Sequence, residues 1–126
     1  MKKKILVIDD NMSIIYSVKE GLERRYEKYE VEGALGGKQG LEVLERGDQP
    51  DLILLDIMMP DMNGWDVFAT LQENENWKNI PVVFLTAKSD DYSKGLGKIV
   101  CKDYIEKPFE VEDLKNRIDA VLMKNE

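Results

Sequence analysis

The amino-acid sequence predicts an α/β domain built on a parallel β-sheet, and two observations lead to that fold class. Short aliphatic-rich runs recur along the chain, at residues 5–8, 52–55 and 82–85, with a shorter echo at 104–105. Continuous apolar runs of this length are typical of strands that are buried on both faces. Between the runs, apolar residues recur at the spacing of helices. Regular alternation of this kind indicates a parallel sheet with right-handed crossovers and helices on both faces.

The individual elements follow in order along the chain. Residues 29–35 alternate apolar and polar positions, which predicts a further strand at an edge of the sheet. Leu41 and Leu44 indicate a short helix that closes at Gly47. The longer helices are marked by apolar residues three or four positions apart: Ile15, Val18, Leu22 and Tyr26; Gly64, Val67, Phe68 and Leu71; Val111, Leu114, Ile118 and Val121. Strand and helix alternate five times without a linker, so residues 1–126 are predicted to form a single domain.

Composition excludes several kinds of chemistry. The chain holds 18 Lys and Arg against 25 Asp and Glu, a net charge of −7, with no histidine and one cysteine, Cys101. Zinc sites of His and Cys and catalysis by Ser–His or Cys–His pairs are therefore excluded. A single cysteine fits a reducing compartment, and the acidic surface argues against direct nucleic-acid binding. No apolar run approaches the roughly 18 residues of a membrane span, so we expect a cytoplasmic protein with no membrane association.

Acidic residues follow the aliphatic runs at 5–8 and 52–55, and a hydroxyl and an amine follow the runs at 82–85 and 104–105. They are Asp9 with Asp10, Asp56, Thr86 and Lys107. The carboxyl ends of parallel strands share one edge of the sheet, and ligands bind there. Two carboxylates 4 Å apart repel by about 4 kcal/mol at an effective dielectric constant near 20, so a group of three requires a cation. Oxygen ligands select a hard ion, Mg²⁺ or Mn²⁺.

A hard cation, a lysine and a hydroxyl are the groups that stabilise a phosphoryl group. Because the chain has no histidine and no activated serine, the nucleophile at hand is a carboxylate, which can form an acyl phosphate. Taken singly, Thr86 is better explained as an ordinary β-branched strand residue, and Tyr104 equally well as part of the core. The place of Thr86 beside the acids favours a functional role for it.

Four blocks of the sequence resemble the receiver domain of two-component response regulators, and the resemblance covers essentially the whole chain. The blocks are ILVIDD at 5–10, DLILLDIMMPDMNG at 51–64, PVVFLTA at 81–87 and YIEKPF at 104–109. They stand in order, with separations of 46, 30 and 21 positions between Asp10, Asp56, Thr86 and Lys107. The resemblance implies a doubly wound, flavodoxin-like (βα)5 fold with strand order 2-1-3-4-5.

The resemblance also implies the chemistry of the acids. Asp56 would accept a phosphoryl group from the phosphohistidine of a partner histidine kinase or phosphotransfer protein. Asp10 and Asp56 would bind Mg²⁺ directly, Asp9 largely through water, and the backbone carbonyl of Met58 would be a further ligand. Such a domain is a signalling switch rather than an enzyme with its own substrate, because it catalyses only its own phosphorylation and slow dephosphorylation.

The remaining residues of the resemblance would respond to phosphorylation. Lys107 would pair with the phosphoryl oxygens, and the bond from Lys107 to Pro108 would be a cis peptide. Thr86 would shift to hydrogen-bond the phosphoryl group, and Tyr104 would turn inward into the vacated space. The surface around the fourth helix, the fifth strand and the fifth helix would then bind an output protein, whose identity the sequence does not give, or a second copy in a phosphorylation-dependent homodimer. Because no effector follows Glu126, stand-alone action is expected.

The stretch before the last strand departs from the family pattern. Ser89 is a good helix start, but Gly95 and Gly97 fall inside the helical spacing and each costs about 1 kcal/mol relative to alanine. Val100 and Cys101 stand where the family usually has Gly-Ala. We therefore predict a short or mobile fourth helix, which bears on partner geometry.

Two other functions fit the sequence less well. A Mg²⁺-dependent phosphatase with an aspartyl nucleophile typically carries a second aspartate two residues later, where this chain has Met58. A degenerate receiver that only binds partners usually lacks an acid or the lysine, and none is lost here. Both rank below the phosphorylatable switch.

Overall fold

The structure is a computed structural model that describes residues 2–87 and 103–124. Its strands are β1 (Lys3–Asp9), β2 (Tyr29–Leu35), β3 (Leu52–Asp56), β4 (Val82–Ala87) and β5 (Asp103–Lys107). Its helices are α1 (Met12–Arg25), α2 (Gly37–Glu45), α3 (Gly64–Glu73) and a C-terminal helix (Val111–Lys124). The helix predicted between β4 and β5, with Gly95, Gly97 and Cys101, lies outside the described residues. Within the described ranges, no helix has the length and apolar character needed to cross a membrane.

The five strands form one parallel sheet in the order β2-β1-β3-β4-β5. This confirms the predicted strand order and places β2, whose apolar and polar residues alternate, at an edge. Since β1 lies between β2 and β3, the point in the sheet at which the direction of winding reverses lies between β1 and β3. Ligands of such sheets bind at this reversal, beyond the carboxyl ends of the strands.

Helices cover both faces of the sheet and bury two separate apolar clusters. The first cluster lies under α1 and the C-terminal helix, and includes Ile15, Val18, Leu22, Leu114, Ile118 and Val121. The second lies under α2 and α3, and includes Val43, Leu44, Val67, Leu71 and Phe84. Of these residues, the helical positions that the spacing of apolar residues predicted are Ile15, Val18, Leu22, Leu44, Val67, Leu71, Leu114, Ile118 and Val121. Each helix therefore stabilises the fold by burying one apolar stripe on the sheet.

The alternation of side chains along a strand determines the face of the sheet on which its last residue lies. Successive side chains of a strand point to opposite faces. Asp9 lies on the same face of the sheet as Val7, and Asp56 on the same face as Leu54. Val7 and Leu54 both belong to the first cluster. Thr86 follows Phe84, which belongs to the second cluster. The two acids and Thr86 thus lie at the same edge of the sheet but on opposite faces of it.

Candidate functional site

The three acids predicted to form a metal site lie together. Asp9 and Asp10 come from the end of β1 and Asp56 from the end of β3, and one carboxylate oxygen of each lies within 4.8 Å of the others. Asp9 and Asp56 are buried, whereas Asp10 is exposed. Their arrangement supplies hard oxygen donors from two neighbouring strands with access from solvent at Asp10.

Lys107 reaches this cluster from the end of β5. Its Nζ donates to Oδ2 of Asp9 at 2.9 Å and lies 3.3 Å from Oδ1 of Asp56. Burial alone would lower the pKa of Lys107, but the hydrogen bond to Asp9 and the charge of Asp56 raise it above its usual value. The ammonium group therefore stays charged and neutralises part of the acidic cluster. The peptide bond that follows, Lys107–Pro108, is cis.

The surroundings of Asp56 raise the pKa of its carboxyl group. Burial, the charge of Asp9 and a hydrogen bond with Asp10 raise the pKa of Asp56 from its ordinary 3.8 to about 7, although Lys107 opposes the shift. When ionised, three carboxylates against one ammonium leave two uncompensated negative charges. A divalent cation with a preference for oxygen, such as Mg²⁺, fits this donor set and charge.

Thr86 brings a buried hydroxyl to the same edge. Its side chain is buried at the end of β4, and its Oγ1 has no hydrogen-bond partner among residues 2–87 and 103–124. On β5, Tyr104 pairs with Phe84 and packs against the second cluster, so it lies on the same face as Thr86 and two positions away in register. The structure therefore brings the two predicted switch residues close to each other.

We expect Thr86→Val to stabilise the unmodified protein or leave it unchanged. Valine has nearly the same shape and removes a buried polar group that costs about 1–3 kcal/mol when it is unsatisfied. Urea unfolding in Mg²⁺-free buffer measures the effect, with Thr70→Val as the control, because the Thr70 hydroxyl is exposed and donates to Asp66 O at 3.0 Å. A loss of 1 kcal/mol or more in Thr86→Val would show that Oγ1 does have a partner.

The loop after β3 carries Met58 and is held tightly at its far end by Gly64. The amide of Gly64 donates to Ile57 O at 2.8 Å. A Cβ at Gly64 would lie 2.4 Å from Asp56 O, so only glycine allows the start of α3 to approach the backbone of β3 this closely. The Met58 side chain is exposed. The role of its backbone carbonyl as a metal ligand stays a prediction.

Two features of the site were missed by sequence reasoning. The backbone amide of Asn11 donates to Asp9 Oδ1 at 2.9 Å, while its side chain accepts from Ser13 N at 2.8 Å and caps α1. An asparagine between a strand and a helical pattern is a recognisable cap signal. The second feature is Asp61, which binds the start of α2, and no local pattern marks that contact.

Comparison with known proteins agrees with this geometry. The sequence model of the response regulator receiver domain matches residues 5–119. The chain belongs to the response regulator receiver domain family. Among solved structures, this receiver domain is similar to the chemotaxis protein CheY4 of Vibrio cholerae, with 30% identity, a TM-score of 0.86, and 96% and 99% of the two chains covered. It is also similar to the Francisella response regulator 1452 receiver domain, with 29% identity, a TM-score of 0.84, and coverage of 99% and 100%.

Relatives of about twice the length of this chain are also response regulators. The receiver domain is 37% identical over 127 residues to the alkaline phosphatase synthesis transcriptional regulatory protein PhoP of Bacillus subtilis, covering 100% of this chain and 51% of that protein. The chain thus spans about half the length of the curated relatives that it matches first. Receiver domains are signalling domains of two-component systems and work with histidine kinases. The acidic cluster of Asp9, Asp10 and Asp56 fits the metal site expected in such a domain.

Proposed function

We propose that this receiver domain accepts a phosphoryl group on Asp56 from the phosphohistidine of a histidine kinase or phosphotransfer protein, in a Mg²⁺-dependent reaction. One observation carries the proposal: Asp56 is buried between Lys107 and two further acids, at the winding reversal of a receiver fold. Residues 1–126 contain no histidine, so a phosphohistidine donor must lie outside them, and a small acyl phosphate is the other possible source.

The metal would be held by the acidic cluster. Asp10 and Asp56 would be direct ligands, Asp9 would act largely through water, and the backbone carbonyl of Met58 would complete the protein's share; Mn²⁺ would serve as a substitute. When bound, the cation supplies positive charge that offsets the carboxylates and the oxygens of the incoming phosphoryl group. The two uncompensated negative charges of the site support this assignment.

Three residues of the chain would each have a separate role in the transfer of the phosphoryl group. A carboxylate oxygen of Asp56 attacks phosphorus, and the P–N bond to the donor imidazole breaks with its electron pair returning to nitrogen. The ammonium of Lys107, now 3.3 Å from Asp56, would pair with the phosphoryl oxygens. The unsatisfied hydroxyl of Thr86 would donate to the same group. Slow hydrolysis of the acyl phosphate would restore Asp56 and release inorganic phosphate.

Phosphorylation would change a surface as well as the site. It adds roughly −1.5 to −2 charges, and movement of Thr86 would open space for Tyr104. The carbonyl of Tyr104 accepts from the Arg117 side chain on the C-terminal helix at 3.1 Å, which ties β5 to that helix. We propose that this side of the domain binds the output protein or a second copy, without direct nucleic-acid or membrane contact by this chain. A cytoplasmic location and a single domain over residues 1–126 are part of the proposal.

Titration with Mg²⁺, followed by acetyl phosphate or beryllofluoride, tests the function. Trp65 is the second residue of α3, and the centroid of its ring lies 4.5 Å from that of Phe84, so its fluorescence is expected to report both steps. Asp56→Ala should remove the response to acetyl phosphate, and mass spectrometry should show one phosphoryl group on the wild-type protein only. A wild-type protein with no response, or an undiminished response in Asp56→Ala, would refute the proposal.

A further inference from the structure

Asp61 caps a helix that lies elsewhere in the chain. It sits in the loop between β3 and α3, and its carboxylate accepts from Gly37 N at 3.3 Å and from Lys38 N at 3.1 Å. These are the first two residues of α2, whose own N-cap, Gly36, has no side chain to provide a cap. Burial would raise the pKa of Asp61, but these hydrogen bonds hold it below its usual range. The carboxylate therefore stays charged at the positive end of the helix dipole.

The same turn is fastened to an acid of the site. The amide of Gly36 donates to the backbone carbonyl of Asp9 at 3.3 Å. Gly36 has φ +98°, and a Cβ there would lie 2.9 Å from both carboxylate oxygens of Asp61. The end of β1, the start of α2 and the loop after β3 are thus joined by three hydrogen bonds in a space that admits no side chain at position 36.

The loop held in this way carries predicted ligands of the site. Asp61 follows Asp56 by five residues and Met58 by three. Gly64 fixes the far end of the loop against the backbone of β3, whereas Asp61 fixes its middle against α2. Without Asp61, the two α2 amides would lose their acceptor, and the middle of the loop would lose these bonds to the β1 side of the site.

We propose that Asp61 is a positioning residue for the metal and phosphoryl site, which holds the Met58 carbonyl and Asp56 in register with Asp9 by tying their loop to the start of α2. The inference rests on the proposed function, since it concerns the affinity of that site for Mg²⁺. Asp61 itself touches neither the acids of the cluster nor Lys107 in the contacts described, so it acts through backbone geometry. Groups that orient metal ligands typically change affinity by about 10- to 100-fold when they are removed.

Binding of Mg²⁺, followed by tryptophan fluorescence below the melting temperature of every variant, tests this role. Asp61→Ala is expected to raise the Kd for Mg²⁺ by about 10-fold. Asp61→Asn keeps one oxygen with two lone pairs for the α2 amides, so it is expected to recover most of the affinity. Asp119→Ala is the matched control, because Asp119 lies on the C-terminal helix and binds Tyr29, Lys28 and Lys115. It should lower the melting temperature and leave the Kd unchanged.

The outcomes separate positioning from its alternatives. A wild-type Kd in Asp61→Ala would overturn the inference and leave Asp61 as a helix cap. Equal Kd values in the Ala and Asn variants would also overturn it, since the loss would then follow from charge alone. Should Asp61→Ala not fold, Asp61→Glu keeps the charge on a longer side chain, and an unchanged Kd in that variant would overturn the inference. A wild-type protein that does not bind Mg²⁺ would instead remove the proposed function itself.

Discussion

The Asp56→Asn variant is expected to be more stable than the wild-type protein at pH 8 in Mg²⁺-free buffer. In the folded state the pKa of Asp56 is about 7 instead of 3.8. Between these values the folded state binds more protons than the unfolded state, so the free energy of unfolding falls as pH rises, by up to about 1.4 kcal/mol per pH unit. The loss in the free energy of unfolding that comes from ionising Asp56 in the folded state is absent below pH 4 and complete above pH 7. Asparagine cannot ionise and removes it.

Urea unfolding at pH 5 and pH 8 measures this difference. The gain from Asp56→Asn should be small at pH 5 and amount to several kcal/mol at most at pH 8. Asp66→Asn is the control, because Asp66 is an exposed acid in the first turn of α3 and lies outside the acidic cluster. It should not change the slope with pH. Mg²⁺ should stabilise the wild-type protein more at pH 8 than at pH 5. Parallel pH profiles for wild type and Asp56→Asn would contradict the account of the site.

Lys107→Met is expected to lower the free energy of unfolding by about 3 kcal/mol at pH 8 without Mg²⁺. Methionine keeps most of the length and removes the charge. The change leaves Asp9 and Asp56 buried beside each other without the ammonium group that lies 2.9 and 3.3 Å from their oxygens. Removing one partner of a buried ion pair is costly because the other charge stays out of water.

A double variant identifies the cause of that loss. In Asp56→Asn/Lys107→Met the repulsion is reduced, so most of the stability should return, and strictly additive effects would contradict the argument. Lys115→Met is the matched control, since Lys115 pairs with Asp119 at 3.2 Å one helical turn away at the surface. It should cost less than about 1 kcal/mol. Urea unfolding of the four variants measures all of these values.

The sheet and most of the site could be predicted because both follow from local pattern. Continuous aliphatic runs mark buried strands, and the residue that ends each run must lie at the same edge of a parallel sheet. Asp9, Asp56 and Lys107 were found in this way, and the family resemblance gave the strand order. The helix predicted after β4 lies outside the described residues and stays a prediction.

Contacts between distant loops could not be predicted. Asp61 caps amides 24 and 23 positions earlier in the chain, and nothing in the spacing of residues encodes that pairing. The unsatisfied hydroxyl of Thr86 is similarly invisible in a sequence, because threonine is common in strands. Only burial without a partner distinguishes it from its neighbours. Such contacts depend on how the loops pack together once the sheet exists.

The side chains of β3 and β4 alternate between the two faces of the sheet, which separates the two apolar clusters of the domain. Asp56 continues the row of Leu54, under α1 and the C-terminal helix, whereas Thr86 continues the row of Phe84, on the side where Tyr104 packs. A charge added to Asp56 on one face of the sheet would therefore act on the hydroxyl of Thr86, which lies on the other face. In the proposed switch, Thr86 at the end of β4 would carry the effect of phosphorylation from one face of the sheet to the other, and packing around Phe84 would change the size of that effect without altering the acids.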